Sequence, residues 1–138
     1  MGPRQTDPIV MYTGGLSAEI MKIRLRKKGN DVYLVELFGV LDLYGSNELK
    51  DLIMKMIEKK IERIIINLEY VNILNSTGVG ALVYISSTLK KVHCPLVIIA
   101  PKGPVLNALE LTRLKSYFTI VSSLKEAVSV ACETPVGE

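Results

Sequence analysis

Hydrophobic positions along this chain change period several times, and each change marks a new element. From about residue 20 to 28, Met21, Ile23 and Leu25 alternate with Lys22, Arg24 and Arg26, the two-residue period of a strand with one wet face. Gly29-Asn30-Asp31 has turn chemistry and predicts a hairpin into a second strand over residues 32 to 41. That run is rich in branched and aromatic side chains and carries one charge, Glu36, which suits a strand covered on most of both faces.

The period then lengthens. Leu49, Leu52, Ile53, Met56 and Ile57 fall on one helical face and Lys50, Asp51, Lys55, Glu58 and Lys59 opposite them. Ser46 or Asn47 is the expected cap of this helix. A strand follows at about 63–69. The next helix is expected over about 77–91, with Val79, Leu82, Val83 and Leu89 inward and Lys90 and Lys91 complementing its negative end. Pro95 to Ala100 reads as an apolar strand. Pro104 opens a short helix carrying Val105, Leu106, Leu109 and Leu111. Tyr117 to Val121 is a short strand, and Ser123-Leu124-Lys125-Glu126 is a capping box for a last helix that buries Leu124, Ala127, Val128 and Ala131.

The predicted order is β-β-α-β-α-β-α-β-α. Strand–helix–strand units impose right-handed crossovers, so the fold class is α/β with a mixed, mostly parallel sheet. Residues 1–17 lack a sustained period and are expected to be a flexible leader. One domain spans 18–133, and 134–138 form a disordered tail.

Composition narrows the function. The 138 residues are 49% hydrophobic but poor in aromatics, which implies one aliphatic core needing no disulfide or metal. Charges interrupt every apolar run before membrane-spanning length, and no charged n-region precedes an apolar stretch. The cytoplasm is therefore the expected location and no membrane the expected partner. The net charge of +3 is too small to imply nucleic acid. Its basic cluster, Lys22, Arg24, Arg26, Lys27 and Lys28, reads as the wet side of a strand, with no aromatic platform or groove-reading helix in the sequence beside it. Cys94, Cys132 and the single histidine, His93, are too few and too scattered for zinc. No P-loop, paired catalytic carboxylates or nucleophile–base arrangement is visible, so neither an enzyme nor a cofactor is expected.

The candidate chemistry lies in Asn75-Ser76-Thr77-Gly78-Val79-Gly80, where a buried strand turns into a helix. Unpaired N–H groups and the aligned peptide dipoles favour an anion at a helix start. Ser76 can be a plain cap, an anion site or a place where phosphate is added covalently. Gly78 and Gly80 fall inside the helix, unlike a dinucleotide fingerprint, and suit close approach of a neighbouring backbone or a partner.

Two motifs in this element order resemble the STAS domain, and within it the bacterial anti-sigma factor antagonists. Phe38-Gly39-Val40-Leu41-Asp42 is similar to that family's Gly-Glu-Leu/Ile-Asp, and Asn75-Ser76-Thr77-Gly78-Val79-Gly80 to its Asp-Ser-Ser/Thr-Gly-Leu-Gly. The resemblance covers roughly residues 20 to 132. It implies partner switching: the unmodified protein binds an anti-sigma factor that is also a serine kinase, a sigma factor is freed, phosphorylation releases the pair, and a serine phosphatase resets it. Carried over, Ser76 is the phosphoacceptor, Asp42 an acidic group near it, and Asn75, Thr77, Gly78, Val79 and Gly80 complete the partner-facing motif. Asn75 stands where the family has aspartate and Val40 where it has glutamate. These departures keep an alternative open, a STAS adaptor or nucleotide- or anion-binding module not regulated by phosphorylation.

Overall fold

The computed structural model describes residues 10–13, 22–28, 32–111 and 119–133. The turn expected at Gly29-Asn30-Asp31, the tail 134–138 and most of the leader lie outside them. The strands are β1 (Val10–Thr13), β2 (Lys22–Lys28), β3 (Val32–Leu41), β4 (Arg63–Leu74), β5 (Leu96–Ile99) and β6 (Thr119–Val121). The helices are α1 (Leu43–Glu58), α2 (Ser76–Lys91), α3 (Pro104–Leu111) and α4 (Leu124–Glu133). From β2 onward the order is β-β-α-β-α-β-α-β-α, the α/β arrangement expected from the sequence. Ahead of it, within the stretch expected to be leader, Val10–Thr13 adds an edge strand. Four residues are too few to show a period.

The sheet is ordered β1-β2-β3-β4-β5-β6. β1–β2 and β2–β3 are antiparallel, and β3–β4, β4–β5 and β5–β6 parallel. α1, α2 and α3 pack on one face over Val35, Leu37, Ile64, Ile66 and Ile98. Among the described residues α4 covers the other, over Val32, Leu34, Ile65, Val97 and Ile99. Both faces of β3 and β4 are thus dry at their N-terminal halves, which is why those strands read as continuous apolar runs.

Several expectations shift in the structure. α1 begins at Leu43, not after Ser46 or Asn47, because Asp42 takes the cap and its carboxylate accepts the Gly45 N–H at 2.9 Å. β4 runs to Leu74 instead of 69, its register against β3 slipping between Glu36 and Phe38 and again between Gly39 and Val40. At the second slip Gly39 has φ of 106°, a backbone region that favours glycine. In α2 the inward face carries Ala81, Leu82, Ile85 and Leu89, while Val79 and Val83 are only half-buried. Leu111 is 84% exposed, not part of the inward face of α3. At α4, Ser123 Oγ accepts the Glu126 N–H at 3.2 Å, while the Glu126 carboxylate reaches back to the Ser122 N–H at 3.3 Å.

The basic face of β2 is not simply solvated. Arg24 and Arg26 are half-buried and lie over Glu36, 4% exposed, with Arg24 Nε 2.6 Å and Arg26 Nη1 3.8 Å from the same carboxylate oxygen. This contact holds the Arg24 pKa above its ordinary value, with desolvation opposing it. A buried carboxylate without its closest cation is costly. Arg24→Ala is therefore expected to destabilise the fold by about 2 kcal/mol, below the usual cost of breaking a buried pair because Arg26 stays within reach. Urea unfolding at neutral pH measures it, and Arg24→Lys should recover part of the loss.

Candidate functional site

The site follows from the ends of two neighbouring parallel strands. Leu41 of β3 and Leu74 of β4 are register partners, so Asp42 and Asn75 emerge side by side. Each caps the helix that follows in the same way. Asp42 Oδ1 accepts from Gly45 N at 2.9 Å, and Asn75 Oδ1 from Gly78 N at 3.1 Å. The two segments, Leu-Asp-Leu-Tyr-Gly and Leu-Asn-Ser-Thr-Gly, are the same device used twice. Two helix N-termini therefore share one rim, each with unpaired N–H groups facing outward.

This arrangement separates the cap from the hydroxyl. Because Asn75 caps α2, Ser76 occupies the first helical position, exposed, and has no side-chain hydrogen bond among the described residues. Thr77 is exposed beside it, Val79 half-buried and Gly80 exposed. On the α1 side Leu43 and Tyr44 are 56% and 61% exposed. Tyr84 is also exposed, with Lys50 Nζ of α1 5.3 Å from its ring centre. Hydroxyls, a half-buried carboxylate at Asp42 and apolar side chains thus share this end of the molecule.

Gly78 and Gly80 play different parts. A Cβ on Gly78 would lie 2.7 Å from the Leu41 carbonyl oxygen and 2.8 Å from Leu74 Cδ1. Gly78 is what lets α2 start directly against the end of β3. A Cβ on Gly80 meets nothing within 4 Å. Packing inside the chain gives no reason for glycine there.

The chain matches the family model for the STAS domain over residues 22–127, which is more than half of its length. It belongs to the STAS domain family. Among solved structures, this STAS domain is similar to an anti-sigma factor antagonist from Mycobacterium paratuberculosis, with 19% identity and a TM-score of 0.76, covering 85% of this chain and 98% of that one. It is also similar to the Bacillus cell fate determinant SpoIIAA in its phosphorylated form, with 20% identity, a TM-score of 0.63, and 78% and 97% of the two chains covered. The murine anion transporter Slc26a9 shares the fold over 79% of this chain and 19% of its own, with 19% identity and a TM-score of 0.66. The same fold therefore makes up nearly the whole of one chain and a minor part of another.

Other chemistry is sparse in this STAS domain. Among the described residues no group of three or more His, Cys, Asp or Glu side chains is placed to hold a metal ion, and no helix is long and apolar enough to cross a membrane. His93 and Cys94 form the corner that ends α2. His93 has φ of 57°, and the Cys94 N–H donates to the Leu89 carbonyl at 2.9 Å, a Schellman closure. Lys60 and Ile61 close α1 the same way.

Burial pushes the Cys94 thiol up to about 11, with nearby Glu62 adding to the rise. The folded state keeps its proton at a pH where the unfolded thiol has ionised. Stability from Cys94 is then fully present below about pH 9 and is lost as pH rises toward 11. Denaturant midpoints across pH 8–11 should fall, and Cys94→Ala should flatten that fall. In the native protein at pH 8, exposed Cys132 should react with a thiol reagent well before Cys94 does.

Proposed function

We propose that this STAS domain is an anti-sigma factor antagonist, switched off by phosphorylation of Ser76. Unmodified, it binds an anti-sigma factor with serine kinase activity and so frees a sigma factor; a serine phosphatase restores it. The domain is a substrate of the partner's catalysis and not itself an enzyme. The reading places it in the cytoplasm, where those partners work. The observation that carries it is the division of labour at α2: Asn75 supplies the cap, leaving the Ser76 hydroxyl exposed and without a partner among the described residues. The similarity to SpoIIAA, an anti-sigma factor antagonist solved in both unphosphorylated and phosphorylated forms, supports it.

The electrostatics fit a switch that leaves the fold intact. A phosphate on Ser76 adds about −1.5 to −2 charge at a helix start, where the dipole and free N–H groups accept it. What it opposes is a partner. Against a closely packed surface spanning Leu43, Tyr44 and Thr77, the dianion must be desolvated, and Asp42 adds charge of the same sign. Gly80, with space above it, allows a partner backbone to approach α2.

Asn75 supports one alternative, a STAS adaptor or nucleotide- or anion-binding module that phosphorylation does not regulate. It caps as aspartate does but brings no charge to a kinase. The deciding experiment is intact mass after incubation with ATP, Mg²⁺ and the anti-sigma-type kinases of the host. A gain of one phosphate, about 80 Da with the charge of phosphoserine, absent in Ser76→Ala, is the expected result. Stable binding to such a kinase with no mass gain would mean a docking surface without the off-switch, and the absence of both gain and binding would favour the adaptor or ligand-binding module.

A further inference from the structure

We propose that the sheet face opposite α1 and α2 binds single-stranded nucleic acid, with Tyr70 as the stacking platform. The inference is independent of the Ser76 switch and rests on a different surface. Alternation along β2 places Lys22, Arg24, Arg26 and Lys28 on one face, opposite Phe38, Glu36, Leu34 and Val32 of β3. This is the face of α4, whose packing is centred on the lower parts of β3 to β6. Above that packing, Phe38 and its register partner Tyr70 stack, with ring centres 5.0 Å apart and planes 7° from parallel.

Arg24 lies 5.3 Å from the Phe38 ring centre on the β2 side, so guanidinium and two rings form one column across three strands. The column is closed by Arg24 at one end. At the other end Tyr70 is 46% exposed. A nucleobase added there continues a stack that already exists, and every base has a face to offer.

The charge is placed to match. Glu36, the carboxylate on these rungs of β2 and β3, is buried and already joined to Arg24. Arg26 Nη1 is 3.8 Å from the same carboxylate oxygen. Four cations thus face one carboxylate, and Lys22 and Lys28, outside that contact, carry the net positive charge suited to a phosphate backbone. In sequence these cations lacked an aromatic platform, because Phe38 lies on the next strand and Tyr70 on the one after. An acidic polypeptide would use the cations and leave the exposed Tyr70 idle.

The test uses the full chain and a fluorescein-labelled 12-residue oligo(dT), followed by anisotropy over a salt series, with a 12-residue polyglutamate as competitor. Binding should weaken steeply with salt, and Lys22→Ala and Lys28→Ala should each reduce the slope by about 0.7. Tyr70→Ala should lower affinity at least about fivefold, and Tyr70→Phe should retain it, since stacking needs the ring and not the hydroxyl. Ser76→Asp should leave it unchanged. Absence of binding at low salt overturns the proposal. So does competition by polyglutamate as effective as by unlabelled oligo(dT), or affinity unaltered by Tyr70→Ala with circular dichroism unchanged.

Discussion

Phosphorylation of Ser76 is expected to weaken the complex with the kinase partner by about a thousandfold, whereas Ser76→Ala should lock the two together in the presence of ATP. A thousandfold corresponds to about 4 kcal/mol. One dianion removed from water into a closely packed interface is of the right size, because an uncompensated charge there costs several kcal/mol. Ser76→Asp carries a single charge on a shorter arm and should lose less, roughly tenfold to a hundredfold. Thr77→Asp supplies the control: it has the same charge at the next exposed position of α2. Titration calorimetry with the cognate kinase compares all four. Equal losses at 76 and 77 would reduce the effect to general charge on the rim. Full affinity for the phosphorylated protein would overturn the switch.

The second large effect is on stability, and it separates two glycines two residues apart. Gly78→Ala must place a methyl group 2.7 Å from the Leu41 carbonyl oxygen and 2.8 Å from Leu74. Leucine can turn aside, but the carbonyl belongs to the end of β3 and moves only with the strand. Overpacking costs about 1–3 kcal/mol, and a backbone contact puts this case at about 3. That should lower Tm by roughly 10 °C. Gly80→Ala should do the reverse, gaining about 0.5–1 kcal/mol from helix propensity with nothing in its way. If the partner approaches α2 closely, the same stabilising change will weaken binding. Thermal melts of the two variants beside partner titrations therefore read packing and docking separately.

Asp42 shows how far a motif can be read without its structure. The resemblance marks it as an acidic residue near the acceptor, yet nothing in Phe38-Gly39-Val40-Leu41-Asp42 says that it caps a helix. Ser46 and Asn47 are better advertised as caps because the obvious apolar period begins just after them. The first turn of α1 exposes Leu43 and Tyr44, which breaks the amphipathic pattern and hides the true start. A turn whose apolar side chains face solvent departs from the core-facing period for that reason. Val79 and Val83 misled in the opposite sense: they are apolar at helical spacing, but Ala81 and Ile85 hold the inward positions. Small residues mark the face where α2 comes close, and hydrophobicity alone underrates them.

The periods of β2 through α4 came from burial alternating at two or 3.6 residues, a local property that the chain writes directly into its sequence. So did the α/β order, the aliphatic core and the serine at a helix start. Tertiary structure decided what depends on residues far apart in sequence. It set Asp42 beside Asn75 through the Leu41–Leu74 register, assigned the cap to Asn75 and left Ser76 exposed at the first helical position. It brought Arg24 to Glu36 and Phe38 to Tyr70 across strands. Strand register is a global compromise among packing contacts, and a one-residue slip changes every pair. The elements are therefore local and legible, while the partners of each side chain are fixed only when the sheet closes.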